Sequence, residues 1–436
     1  MKPHLYLIGI GGVGMVWIAD YALAQGWEVS GSDLSESPVT RRLQGAGAHV
    51  HIGAAADQIP EGVTEAVVSS AITPNSPSYP EYAALLERAI PVVKRAPWIG
   101  KLTRRMRTIA VAGAHGKTTT SAMLGWILTE AGLDPTVFTG STVAGWEGTK
   151  IGKSDILVLE ADEFDRSFHQ FYPEIAIILN IDLDHTDCYP GGLPEIEHSF
   201  RRFLRNVSKE RGIVIAYGRD GHIRKVTRGF KHKLHWYDEK RLWPGLKLQQ
   251  PGLHVVLNAT AAAKAAHELG VSSAVIQKAL ASFPGTGRRF ELVGEWGKMT
   301  WYDDYAHHPR ELAATLQALR EKFPNERTVV VFQPHQKRRT LDLLSDFARA
   351  FDAHPPTELI IAPIYAVAGR EEAIEVSSAD LVREILTKKV RMSVQLASSV
   401  EELEEQLRVA IEQPGVLVTV GAGSIRALVQ KWQEPN

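Results

Sequence analysis

Short runs of consecutive apolar residues alternate, along nearly the whole chain, with stretches whose apolar positions recur every three or four residues. The runs at 5–8, 66–68, 109–111, 156–159, 175–179, 329–332, 359–362 and 416–420 have strand length and are rich in Val, Ile and Leu. Unbroken apolarity is what a strand covered on both faces requires. Segments 82–88, 118–131, 311–322 and 400–411 show amphipathic helical spacing instead. Strands that alternate with helices predict an α/β fold with parallel sheets.

The pattern restarts three times. Pro91 and Pro97 bracket Val92-Val93-Lys94-Arg95 at the end of a first segment. A second opens with the strand at 109–111 and ends near the turn-forming cluster Pro284-Gly285-Thr286-Gly287. A third begins about Phe290. A length of 436 residues suits two or three domains, and the expected limits are 1–98, 99–288 and 289–436.

Composition narrows the class. Hydrophobic residues make up 44% and charged residues 23%, as in a globular protein. A formal charge of −1 supplies no general pull toward nucleic acid or an anionic membrane, so neither is expected as a partner. Cys188 is the single cysteine, which rules out an intramolecular disulfide and suits a reducing compartment. No apolar run approaches the ~20 residues of a membrane span, and the one at the N-terminus is too short for a signal-peptide core. The expectation is a cytoplasmic protein, monomeric or homodimeric.

The strongest chemistry lies in Ala110-Val111-Ala112-Gly113-Ala114-His115-Gly116-Lys117-Thr118-Thr119-Thr120, between an apolar strand and a helix-forming run. Backbone N–H groups at such a helix start surround phosphate oxygens. Lys117 is placed to reach the β- and γ-phosphates of ATP, and the Thr118 hydroxyl to join a Mg²⁺ shell. The common pattern has four residues between its first glycine and the Gly-Lys pair. Val111 stands where that glycine belongs, so Gly113 makes a shorter loop. Two further strands end in polar clusters at the edge where α/β sheets gather ligands. Glu160-Ala161-Asp162-Glu163 offers carboxylates for Mg²⁺. Asn180-Ile181-Asp182-Leu183-Asp184-His185-Thr186-Asp187 offers an imidazole to a metal or phosphate.

Directly after the first strand comes Gly9-Ile10-Gly11-Gly12-Val13-Gly14, with Asp33 about 20 residues on. The pattern means a tight turn, close approach to a diphosphate, and an acid for a ribose hydroxyl. It serves NAD, FAD or a nucleotide-sugar equally well, so an NAD-dependent oxidoreductase stays open on this motif alone. The last third holds Asp303-Asp304-Tyr305-Ala306-His307-His308-Pro309, with Pro309 suited to a first helical turn. It also holds Gln333-Pro334-His335-Gln336-Lys337-Arg338-Arg339-Thr340 after a strand, a cationic cluster fit for a carboxylate or phosphate. Gly421-Ala422-Gly423 closes the last strand.

These motifs, in this order, resemble the Mur ligases of peptidoglycan synthesis over essentially the whole chain, and within them the branch that couples L-alanine to UDP-N-acetylmuramate. The resemblance implies a Rossmann-like domain for UDP-N-acetylmuramate, a central P-loop ATPase domain and a Rossmann-like domain that receives the amino acid. It implies that ATP phosphorylates the muramyl carboxylate and that the amine of L-alanine attacks the acyl phosphate. By the same likeness Gly11, Gly12, Val13, Gly14, Asp33, Ser69, Ser70, Ala71 and His335 contact the acceptor or amino acid. Gly113, Ala114, His115, Gly116, Lys117, Thr118 and Thr119 hold the nucleotide phosphates, with Asn258 at the adenine, Arg289 at a phosphate and Asp304 at the nucleotide. Thr118, Glu163 and His185 hold Mg²⁺, while Lys117, His185, His307 and Arg339 act in catalysis. The chain departs from the family pattern at Ala114, Val255, Gln336 and Ser424, where threonine, asparagine, arginine and aspartate are commoner. Glutamine lacks a guanidinium's paired charge, so Gln336 bears on which amine is accepted. The nearest rival is a ligase that recycles an intact tripeptide, which commonly lacks the Pro334-His335 pair. A nucleotide switch without catalysis would need Lys117 but not the first domain.

Overall fold

The computed structural model describes residues 2–69, 72–143, 145–146, 148–183, 188–231, 233–366 and 374–433. Ser70, Ala71 and His185 lie outside the described residues. The chain is α/β, with three parallel-rich sheets and three domains. Two of the sheets share one compact unit, residues 1–248 with 256–284, and the third builds another from 249–255 and 285–436.

The first sheet has β1 His4–Ile8, β2 Glu28–Asp33, β3 His49–Ile52, β4 Glu65–Val68 and β5 Val92–Lys94, ordered β3-β2-β1-β4-β5 and parallel throughout. Helices α1 Val13–Ala24, α2 Pro38–Gly45, α3 Tyr79–Glu87 and α4 Arg95–Thr103 connect and cover it. Strand order reverses beside β1, and the glycine motif follows β1, so the turn opens at a switch point. Helix α4 runs through position 98.

The second sheet has β6 Arg107–Ala112, β7 Thr136–Phe138, β8 Thr149–Lys150, β9 Ile156–Glu160, β10 Ile175–Ile178, β11 Ile213–Tyr217 and β12 Lys233–Tyr237. Its order is β12-β11-β10-β6-β9-β7-β8, with β7–β8 antiparallel. Its helices are α5 Lys117–Glu130, α6 Leu193–Leu204, α7 Gly221–Val226, α8 Leu253–Glu268 and α9 Ser273–Ser282. β6 lies between β9 and β10, so the polar ends of those two strands flank the loop that leaves β6.

One core runs through both sheets of this unit, from Leu5 and Leu7 of β1 to Ile178 of β10. Trp17 of α1 stacks on Phe138 of β7 at 5.5 Å and 8°. Its indole N–H donates to the Thr139 carbonyl at 3.0 Å. On the far side, Thr103 of α4 accepts from the Tyr172 amide at 3.1 Å, and the Arg104 guanidinium lies 3.4 Å over the Tyr172 ring. A buried indole that stacks and donates at once resists sliding as well as separation.

The third sheet has β13 Glu291–Trp296, β14 Met299–Asp304, β15 Thr328–Phe332, β16 Glu358–Ile361, β17 Ser393–Leu396 and β18 Gly415–Val420. The order is β13-β14-β18-β15-β16-β17, with β13–β14 antiparallel. Around it lie α10 Pro309–Lys322, α11 Lys337–Asp342, α12 Leu344–Ala353, α13 Ser378–Thr387, α14 Val400–Ala410 and α15 Ile425–Gln433. Pro309 opens α10 behind the His308 cap. No helix among the described residues is long and apolar enough to cross a membrane.

Trp17→Ala should cost about 3–5 kcal/mol, whereas Trp17→Phe should lose chiefly the hydrogen bond, about 1 kcal/mol. Urea denaturation of both variants checks this. Equal losses would mean that the indole N–H carries the contact.

Candidate active site

β6 is buried over five of its six residues, and it delivers the chain to a turn that requires glycine at two positions. Gly113 has φ +141° and Gly116 φ +86°. A Cβ at Gly116 would stand 2.7 Å from the Asn258 carboxamide oxygen, and one at Gly113 3.0 Å from the Asn180 amide. The turn is thus held between Asn180 at the end of β10 and Asn258 of α8. Asn180 locks it by accepting from the His115 N–H at 2.8 Å and donating to the His115 carbonyl at 2.9 Å. The first turn of α5 follows, with amides that a helix start leaves without intrahelical acceptors.

Lys117 turns back over this loop. Its ammonium donates to the Gly113 carbonyl at 2.7 Å and to Glu163 Oε2 at 2.9 Å, and lies 3.5 Å from Asp162. Burial alone would lower its pKa, but the carboxylates of Glu163, Asp162 and Glu160 together raise it, so the charge is permanent. Thr118 donates to Glu160 Oε2 at 3.1 Å, and the Gly140 amide donates to the other Glu160 oxygen. Burial pushes the Glu160 carboxyl up, against the pull of the Gly140 amide and Lys117. The carboxylate beside Thr118 is therefore Glu160, whereas the expected metal ligand Glu163 pairs with Lys117. The Glu163 carbonyl accepts from the buried Tyr189 hydroxyl at 2.6 Å. Burial first, and the Glu163 charge in addition, push that phenol up to about 12. His115 Nε2 lies 3.5 Å from Asp182.

At the first sheet, Gly9 has φ +77° and its amide and that of Ile10 donate to the Ser32 carbonyl. The Gly11 amide donates to Asp33 Oδ2 at 2.9 Å, so Asp33 braces the turn that it was expected to serve from the ribose side. Gly12 caps α1 and Val13, its first residue, is exposed. Ser69 follows β4. Gly14 has a use that the motif does not announce, because a Cβ there would stand 2.1 Å from a terminal nitrogen of Arg95. Burial lowers the pKa of that guanidinium while Asp162 and Asp165 pull it up. Among the described residues no hydrogen bond ties it down. Arg95 thus lies between the glycine turn and the carboxylates around Lys117, and sequence spacing had no signal for it.

In the second unit, Asp304 at the end of β14 is buried and accepts from the Phe290 and Ala306 amides at 2.8 Å each. Burial dominates and lifts it to about 6, against the opposing pull of Arg289. Arg289 reaches Glu311 at 3.4 Å. Fully buried Asp303 receives Arg288 at 2.9 Å and the Thr419 hydroxyl at 2.7 Å. His307 is anchored through its amide to Glu311 at 3.1 Å, and its ring lies 5.7 Å from that of His335. His335 stacks on Tyr365 at 5.6 Å, and Arg339 approaches His335 Nδ1 at 3.4 Å. Gln336 has φ +70°, a strained backbone for a side-chain-bearing residue, and its amide donates to the Tyr365 carbonyl at 2.9 Å. Ser424 meets the Gln333 amide at 3.5 Å. His307, His335 and Arg339 therefore form one cluster, and Asp304 and Arg289 a neighbouring one through Glu311.

Because Asp304 titrates near 6 in the fold against 3.8 when free, the native state holds the extra proton between those values. Its contribution to stability is largest at low pH and falls as pH rises from 4 to 6, by about 3 kcal/mol in all. Asp304→Asn should flatten that part of a denaturation series from pH 4 to 7. An unchanged slope would assign the effect to another group.

Family models match the chain in three successive stretches. Residues 4–107 match the model described as Mur ligase family, catalytic domain, 111–242 the Mur ligase middle domain, and 288–423 the Mur ligase, glutamate ligase domain. A UDP-N-acetylmuramate–L-alanine ligase of Thiobacillus denitrificans is 40% identical, covering 97% of this chain and 96% of the relative. One from Polynucleobacter asymbioticus is 38% identical, covering 99% and 98%. Among solved structures, the UDP-N-acetylmuramate-alanine ligase of Thermotoga maritima superposes with a TM-score of 0.80 at 26% identity over 98% of both chains. A murein peptide ligase of Psychrobacter arcticus shares the fold, with a TM-score of 0.72 at 22% identity, covering 99% and 98%. With three of its domain models matched in order and relatives aligned almost end to end, the chain belongs to the Mur ligase family.

Proposed function

We propose that the chain is an ATP-dependent ligase that joins L-alanine to the carboxylate of UDP-N-acetylmuramate through an acyl phosphate, in the cytoplasm. The observation that carries this reading is Lys117, locked over a backbone phosphate cradle among three carboxylates. In this proposal residues 1–98 bind the nucleotide-sugar, 99–288 bind ATP and 289–436 receive the amino acid.

The residues suit a divalent cation. Glu160, Asp162 and Glu163 gather around Lys117, and carboxylates concentrated beside a phosphate cradle fit Mg²⁺. Thr118 with Glu160, and Glu163 beside them, are its proposed holders, with His185 as a further ligand. Bound there, Mg²⁺ would neutralise charge on the phosphate oxygens. The chain's own residues do the rest by position. Amides at the start of α5 bind the phosphates, and Lys117 moves its charge from Glu163 to the γ-phosphoryl group as that group transfers. Asn258 contacts the adenine, and Arg289 and Asp304 the nucleotide.

A carboxylate has no leaving group that an amine could displace. Phosphorylation creates one and splits a hard substitution into two easier ones. The glycine turn at 9–14 and Asp33 hold the UDP portion, with Ser69, Ser70 and Ala71 beyond it. Arg95 supplies a cation with unused donors beside that turn, suited to an anionic group of the acceptor. In the second unit, His307 stands by the amine, and His335 and Arg339 hold the amino acid's carboxylate. Pro334-His335 favours a free amino acid over a tripeptide as the amine.

An amino-acid screen with ATP, Mg²⁺ and UDP-N-acetylmuramate tests the reading. ADP should appear only when acceptor and amine are both present, with L-alanine preferred and tripeptide inert. Lys117→Ala should lower kcat by roughly 10²–10³, and near-normal ligation would sink the assignment. Arg95→Met should raise KM for the acceptor by about tenfold or more and leave KM for ATP in place. A matching rise for ATP would make Arg95 a structural residue instead.

A further inference from the structure

The phosphate loop occupies the C-terminal ends of the central strands. At the opposite ends of β11 and β12, the loops that leave α6 and α7 enclose a groove of about 440 Å³. Its floor is apolar, formed by Leu204, Val207, Val226 and the half-buried Phe230. Arg205, Lys209, Arg228 and Lys231 stand exposed around the rim, joined by Arg201. Residues 201–231 contain ten lysines and arginines against two acids, in a chain whose formal charge is −1. The near-zero total conceals a strongly segregated patch.

Much of that charge has a local task. Arg201 and Arg202 lie in the last turn of α6, and Arg224 and Lys225 in that of α7, where cations face the carbonyl ends of the helix dipoles. Lys225 pairs with Glu197 at 2.5 Å and Arg219 with Glu239 at 3.0 Å. The four rim residues differ. They lie past the helix ends, and among the described residues none forms an ion pair. Four unpaired like charges converging on one concavity repel one another, and an anion in the groove removes that cost. A free inorganic anion would leave the apolar floor uncovered. A phospholipid would cover it with its glycerol and first methylenes while its phosphodiester met the rim.

We propose that this groove docks the protein on an anionic phospholipid surface, away from the ATP site. The test is cosedimentation of the full chain with vesicles of phosphatidylglycerol and phosphatidylcholine, against vesicles of phosphatidylcholine alone. Wild type should bind the first and not the second, and bind less as salt rises. Each surface cation is worth about fivefold in partitioning. The fourfold variant Arg205→Gln, Lys209→Gln, Arg228→Gln, Lys231→Gln should therefore lose binding by roughly several hundredfold. A control with four exposed cations of the second unit changed, Lys298→Gln, Lys389→Gln, Arg391→Gln and Lys431→Gln, should keep it. Both should retain ATP-dependent activity in lipid-free solution. No vesicle binding by wild type at low salt, or equal losses in the two variants, would overturn the proposal. So would release from vesicles by millimolar glycerol phosphate, which would make the groove a site for a soluble phosphoryl ligand.

Discussion

A single buried ammonium sets the terms for the centre of this molecule. Lys117 draws Glu163 to 2.9 Å and Asp162 to 3.5 Å while Glu160 stays within its field. Without it Glu160 and the buried Glu163 would face each other and the half-exposed Asp162 with no cation among them, and burial would push them toward the protonated form. The lysine also folds back onto the Gly113 carbonyl, so the same charge that holds the acids holds the loop. Phosphate cradle and carboxylates are therefore one electrostatic object. Strand β9 pairs directly with β6 at a separation fixed by sheet hydrogen bonding, and this is how Glu163 comes to meet a cation 46 positions away in sequence.

The second unit solves a related problem by other means. Asp303 and Asp304 are adjacent in β14, so their side chains leave opposite faces of the sheet. Asp303 is buried against Arg288 and Thr419, a paired charge with its acceptors filled. Asp304 has amides and a more distant guanidinium, and so it rises toward neutrality. Two identical side chains thereby have different chemistries, decided by which face of the strand each one takes.

The apolar runs foretold the buried central strands well, because a strand covered on both faces has nothing polar to show. β2, reading Glu28-Val29-Ser30-Gly31-Ser32-Asp33, and β3, reading His49-Val50-His51-Ile52, carry no such run. Their polar positions are satisfied from other elements, as where Ser32 meets the buried Glu81, and one-dimensional spacing cannot register that. The site was legible to the same extent. Lys117 and Thr118 announced themselves by position after a strand. Which acid sits at Thr118 was not readable, since Glu160 and Glu163 differ by three residues and only the end of β9 decides which of them turns inward. Gln336 was visible as a missing charge, but its strained backbone was not.

Gly14 has the widest consequence outside this chain. In a dinucleotide-binding turn the third glycine is kept so that helix and strand can pack closely. Here the missing side chain is a slot for the Arg95 guanidinium. A pattern search reads both situations as the same fingerprint, although the space this glycine leaves is taken by a side chain 81 positions away. A side chain at position 14 and the Arg95 guanidinium cannot share that space: enlarging the first displaces the second, so one substitution in the glycine turn reaches a cation on a helix that the motif does not include.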